Sequence, residues 1–209
     1  MSVAAARVQM HRSLAPEDQA RADFYALFAR LLRGAPDDAL LASLAGAGEF
    51  PADGDPALAR AWNSLVAAAS VMDADAGADE YQKVFEGLGA AEVSIYSAFY
   101  IGATAVDHPR VKLRGDLAEL GLARRETVTE PDDHWAALFD VMRVLIAGGA
   151  GRSPATVAEQ RSFYLAHLAP GLAAFFRAAR EAPSSNFYRK VSEFGLAFET
   201  LETEAFQLD

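Results

Sequence analysis

Between Pro16 and Arg33 apolar side chains recur at Ala20, Phe24, Leu27, Phe28, Leu31 and Leu32, three or four residues apart. That spacing returns side chains to one face at every turn, so it predicts an amphipathic helix with a single buried stripe. Gly34 ends it, and Pro36 opens a short helix in PDDALLASLAG. Asp55 followed by Pro56 is a cap and first-turn pair for a helix carrying Leu58, Trp62, Leu65, Val66 and Met72. Tyr81, Val84 and Phe85 give another apolar face, and the turn formers between Gly87 and Ser97 predict a loop. A helix follows Pro109 and stops near Gly121. Pro131 opens the next, with Trp135, Leu138, Met142, Leu145 and Ile146 inward. AGGAGRSP breaks it, and Ser153-Pro154 caps a helix running to His167. Pro170 and Pro183 bound a helix holding Leu172, Phe175 and Phe176. The last, from about Asn186 to Phe206, carries Phe187, Val191, Phe194, Phe198 and Leu201.

No segment alternates apolar and polar positions with a period of two. About eight to ten helices with short connections and no repeat period predict an all-α fold, a single globular helical bundle domain. We expect that domain over residues 15–209, a flexible tail over 1–14, and a hinge in the loop 121–130 between two helical halves.

Composition narrows the function more than the fold. A hydrophobic fraction of 52% with 10% aromatics belongs to a folded chain, and 209 residues suffice for one sizeable core. The absence of cysteine removes disulfides, thiolate metal sites and a cysteine nucleophile. The opening MSVAAARVQMHRSLAPED lacks the apolar core of a secretory signal, and the longest uncharged run, Ser162 to Phe176, contains His167 and Pro170. A cytoplasmic protein with no stable membrane insertion is expected. Acidic residues outnumber basic ones 29 to 19, giving a formal charge of −10 that repels nucleic acid and favours a cationic partner.

Enzyme signatures are sparse. GGAG at 148–151 lacks the following Lys-Ser/Thr of a phosphate-binding loop and reads as a linker that ends a helix. Val8, Ala105, Pro131 and Tyr164 stand three residues before the four histidines, so no Glu-x-x-His pair is present, and no metal or cofactor is expected. The densest polar cluster is EPDDH, Glu130 to His134. With proline at the first helical position, Glu130 would be the N-cap, and Asp132 and Asp133 would face the unpaired N–H groups of the first turn. A metal site there would need more ligands, and an acid–base pair of Asp133 and His134 would need a pocket and a nucleophile. Docking of a guanidinium needs only accessible carboxylates, which grip its fork by charge-assisted bonds. Capping, catalysis and docking all stay open on the residues alone.

The order of several blocks resembles the TorD/DmsD/NarJ family of redox-enzyme maturation chaperones, over about residues 20–205. These are RADFYALFARLLRGAPDDALLASL, EYQKVFEGLGAAEVSIYSAFY, LRGDLAELGL, TEPDDHWAALFDVM with the E-P-x-D-H signature, and YLAHLAPGLAAFFRAAREAPSSNFYRKVSEF. The resemblance implies an all-α cytoplasmic chaperone rather than an enzyme. Such proteins bind the twin-arginine signal peptide, or a related N-terminal segment, of the apo-form of a molybdopterin oxidoreductase and delay export until the cofactor is inserted. It places Glu130, Pro131, Asp133 and His134 at or beside the peptide site, with Asp132 at the variable position. Arg114, Tyr81, Phe85, Ser97 and Tyr100 match blocks lining the implied groove, and Tyr96 joins the aromatic floor. Core packing is the competing reading for Tyr81 and Phe85, and an ion pair for Arg114. The chain departs from its relatives at Asp116, where many carry an aromatic residue, and at Gly171, where tryptophan is usual. A hinge at 121–130 would permit a domain-swapped homodimer. The rival readings are a helical interaction or assembly module with another partner, and an acid–base enzyme using Asp133 and His134.

Overall fold

A computed structural model describes residues 14–48, 50, 54–87, 91–102, 108–122, 131–149 and 151–208. The expected tail, most of the hinge loop and Glu130 lie outside the described residues. Within them the chain forms ten α-helices: α1 Pro16–Arg33, α2 Asp38–Ala45, α3 Pro56–Ala69, α4 Ala74–Tyr81, α5 Ala98–Ile101, α6 Pro109–Glu119, α7 Trp135–Ala147, α8 Val157–His167, α9 Leu172–Glu181 and α10 Phe187–Leu208. A π-helical turn, Gln82–Glu86, continues α4.

The core is aromatic. α1 lies along α7, and α10 packs on α3 and α9. At the crossing, Phe28 meets Phe139 at 5.2 Å, Phe176 at 5.4 Å and Phe194 at 5.3 Å between ring centroids. Each ring buried this way contributes about 1.5–3 kcal/mol by removal from water, with edge and offset geometry adding about 0.5–1.5 kcal/mol per pair. One polar clamp crosses this core. The guanidinium of Arg21 on α1 donates to both carboxylate oxygens of buried Glu202 on α10, at 2.7 and 3.0 Å. Tyr25 donates to the same carboxylate at 2.8 Å, so the buried charge is paired and hydrogen-bonded as burial requires.

Most boundaries follow the local signals. α1 has the predicted limits, and Asp55 caps α3 by accepting from the Leu58 amide at 2.7 Å. α3 ends at Ala69, before Met72. Three helix starts differ from expectation. α2 begins at Asp38 rather than Pro36, because Asp37 caps it by accepting from the Leu40 amide at 2.8 Å. α8 begins at Val157 rather than at Ser153-Pro154, because Thr156 and Glu159 form a reciprocal capping box. α7 begins at Trp135 rather than Pro131, with His134 as its N-cap and no acidic residue in its first turn. Asp132 and Asp133 therefore lie in a turn before the helix, and the first-turn capping role expected for them is not the one they have.

Candidate functional site

The reason α7 starts late is a main-chain contact. The amide of Ser97 donates to the Asp133 carbonyl at 2.8 Å, and the amide of Trp135 donates to the Ile95 carbonyl at 3.1 Å. Tyr96 and His134 thus form an antiparallel bridge. Along Val93–Ser97 burial alternates, with Val93, Ile95 and Ser97 inward and Ser94 and Tyr96 partly exposed, the pattern of a half-buried extended segment. Pairing holds His134 in extended backbone between the turn and the helix and leaves its Nδ1 to cap α7, accepting from the Ala136 amide at 3.1 Å.

The same extended segment is tied to the π turn at its other end. Val93 donates to the Val84 carbonyl at 2.9 Å. A π turn holds one extra residue per turn, which rotates the following side chains relative to an ideal helix; here both Val84 and Phe85 are buried. Tyr81 donates its hydroxyl to the Leu32 carbonyl at 3.0 Å, and Tyr100 donates to the Ser94 carbonyl at 2.8 Å.

These elements enclose an open cleft of about 740 Å³. Tyr81, Phe85, Tyr96, Tyr100 and His134 all line it. Tyr81 and Phe85 also belong to the core, so they offer it little surface. The Tyr96 and His134 rings stand edge to face at 5.6 Å. Phe99, 73% exposed, projects at the mouth beside Tyr100. Arg33 and Glu92 add opposite charges to the rim, and Glu92 is itself anchored by Ser184, whose amide and hydroxyl donate to it at 3.0 and 2.6 Å.

The rest of the sequence-predicted set is placed differently. Ser97 is buried and contributes its backbone. Asp133 is 1% exposed and lies beneath α6, 2.9 Å from the Nε of Arg110. Neither of its oxygens accepts an aligned hydrogen bond. Asp132 accepts from the Nε of Arg114 at 3.0 Å. Asp133 and His134 therefore serve different surroundings, one against a guanidinium and one at the cleft. Arg110 and Phe99 are site residues that sequence reasoning missed. Arg110 precedes Arg114 by four positions, one helical turn, which is the signal that could have paired it with the second acid. Phe99 has no periodicity to announce it.

Both departures from the family pattern have a local structural counterpart. Asp116 lies 2.6 Å from the Nε2 of buried His167. Burial holds that imidazole below the usual histidine value of 6.5, outweighing Asp116, while Lys112 pushes in the same direction as burial. A lowered folded value means the native state resists protonation. Stability is therefore fully present above about pH 6.5 and is lost as pH falls through the lower folded value. Urea titrations between pH 7.5 and 5, with pH values chosen to bracket the reference histidine, should show that loss, and His167→Gln should flatten it. At Gly171, an added Cβ would come 2.9 Å from the Tyr100 Cβ and 3.2 Å from the Ile101 Cγ1. α5 occupies the space a larger residue would need, with the Tyr100 ring 6.3 Å from that of Trp135.

The site is thus an open cleft lined by aromatic rings, set beside an acidic turn on an all-helical core. Comparison with known proteins specifies the family. Residues 52–177 match the family model described as nitrate reductase delta subunit. The chain belongs to that family, the NarJ/TorD-like redox-enzyme maturation chaperones. It is similar to a crystal structure of a proposed redox enzyme maturation protein from Archaeoglobus fulgidus, with a TM-score of 0.52 and 15% identity over 94% of this chain and 99% of that one. That likeness supports the fold. Comparison with curated proteins gives no significant match. Among the described residues, no helix is long and apolar enough to cross a membrane.

Proposed function

We propose that this protein is a cytoplasmic maturation chaperone that receives the twin-arginine leader, or a related N-terminal segment, of a molybdopterin oxidoreductase. It would hold the apo-precursor back from export until the cofactor is in place, acting by binding rather than catalysis, with residues 15–209 working as one unit. The observation that carries this reading is the main-chain pairing of Ile95–Ser97 with Asp133–Trp135, which positions the acidic turn and the aromatic cleft as one rigid frame. Such a leader carries two guanidiniums followed by an apolar stretch. Asp132 and Asp133 have the chemistry for the first, and Tyr96, Phe99 and Tyr100 for the second.

The test is titration of a synthetic Arg-Arg leader peptide and its Lys-Lys counterpart by fluorescence anisotropy. The arginine peptide should bind the tighter, because only its forks can engage carboxylates bidentately. Phe99→Ser removes a side chain that is already exposed, so the fold should be unaffected, while affinity should fall about tenfold from lost apolar contact. Asp132→Asn should weaken binding and reduce its salt dependence. Equal binding of both peptides, undisturbed by either variant, would sink the assignment.

A further inference from the structure

α6 is held on this protein unlike its neighbours. Of its residues only Leu113 is buried, and Val111 is 71% exposed. Gly115 lies in its interior with no neighbour within 4 Å of where a Cβ would project, so a residue that weakens the helix is retained there with no close packing to require it. Leu117 and Leu120 pack partly buried against the core, and polar contacts make the rest of its attachment. Arg110 meets Asp133 at 2.9 Å, Arg114 meets Asp132 at 3.0 Å, Asp116 meets His167 at 2.6 Å, and Arg152 donates to the Leu120 carbonyl just past its end.

Arg110 and Arg114 are one turn apart and so project from the same face. They place two guanidiniums on two adjacent carboxylates. The grip is poor: Arg114 donates to Asp132 through its Nε, and the Arg110 contact lacks hydrogen-bond alignment, leaving both oxygens of a 1%-exposed carboxylate without a hydrogen bond. A guanidinium arriving with its fork aligned would form two parallel charge-assisted bonds where Arg110 forms none.

We propose that α6 is an internal competitor, its two arginines occupying the acidic turn in the resting molecule and yielding it to a ligand that brings paired guanidiniums. This rests on the reading that an arginine-bearing leader docks at that turn. The resting contact keeps Asp133 from being a bare buried charge, and its imperfect geometry lets a better-fitting ligand displace it. Affinity for the leader is then set by the difference between the two grips, and a ligand without aligned guanidiniums cannot open α6.

Loosening α6 should accordingly tighten leader binding. Competition lowers apparent affinity by the fraction of molecules in which the turn is free, so any change that raises that fraction raises affinity in proportion. In the full-length protein, Arg114→Ala removes one largely exposed pair and should tighten binding of the Arg-Arg peptide about threefold, the scale of such a pair. Leu113→Ala removes the one buried anchor without touching the charges and should tighten it about tenfold or more. Hydrogen exchange on the parent should show the α6 amides losing protection when the Arg-Arg peptide saturates it, but not at equal concentrations of the Lys-Lys peptide. Unchanged or weaker binding by both variants, or full α6 protection in the saturated complex, would overturn the competition while leaving the docking reading intact. Absence of Arg-Arg peptide binding in the parent and both variants would overturn both.

Discussion

Glu80→Ala is expected to lower stability by about 3–5 kcal/mol, a large part of the 5–15 kcal/mol typical of a folded domain. Glu80 lies on α4, 7% exposed, far in sequence from the helix it serves. Its carboxylate accepts from the amides of Asn186, Phe187 and Tyr188 at 2.8, 3.0 and 2.7 Å. These are the opening N–H groups of α10, which have no partner within the helix, and a negative charge there also meets the positive end of the helix dipole. Alanine would strand two of the three donors in a buried setting; the third belongs to exposed Asn186 and can turn to water. Glu80→Gln keeps an acceptor and should lose about half as much. Thermal melts should show the alanine variant falling by roughly 10 °C at the 2–4 °C per kcal/mol expected for this size. A loss under about 1 kcal/mol would mean that α10 does not depend on this remote cap. Because Phe85 packs on Tyr188 at 4.9 Å, the same variant should also loosen the cleft wall.

Gly195→Ala is the second large effect, and its sign is the informative part. By intrinsic helix propensity alone, alanine inside α10 should stabilise by about 1 kcal/mol. The site forbids it. An added Cβ would collide with the Phe176 ring, lying 2.5 and 2.6 Å from its two Cε atoms. Phe176 is 1% exposed and is hemmed in by Phe28, Phe139 and Phe175, so the ring has no free volume to enter. Overpacking of this kind costs about 1–3 kcal/mol or more beyond the propensity gain, so a net loss near 2 kcal/mol is expected in urea unfolding. A more stable variant would show that α9 and α10 are not so closely opposed.

Where helix periodicity and a local cap agree, the sequence was sufficient to place an element. α1 has its predicted limits, Asp55 caps α3, and the face of α7 predicted inward is buried at Trp135, Leu138, Met142, Leu145 and Ile146. The start of α7 departs from the local signal because the Glu130–Asp133 pattern has the form of a capped first turn. A main-chain partner at residues 95–97 overrides that preference, and nothing local to residue 131 reveals it. The start of α8 was legible: Thr156 and Glu159 stand at capping-box spacing, but Ser153-Pro154 drew the reading upstream. The π turn at Gln82–Glu86 and the four-residue α5 are too short to leave a period. Five of the expected site residues line one cleft, whereas the guanidinium over Asp133 has only the four-residue spacing of Arg110 and Arg114 to announce it, since α6 and the acidic turn meet only in the fold.

The bridge between Tyr96 and His134 is made of amides and carbonyls, groups that every residue but proline carries in full. A frame fastened in this way is indifferent to which side chains decorate it. Substitutions at residue 96 or at the exposed position 99 can therefore accumulate without loosening the scaffold. The surface around the cleft can change its side chains step by step while each intermediate remains folded. Change at that surface is thereby uncoupled from the risk of collapse.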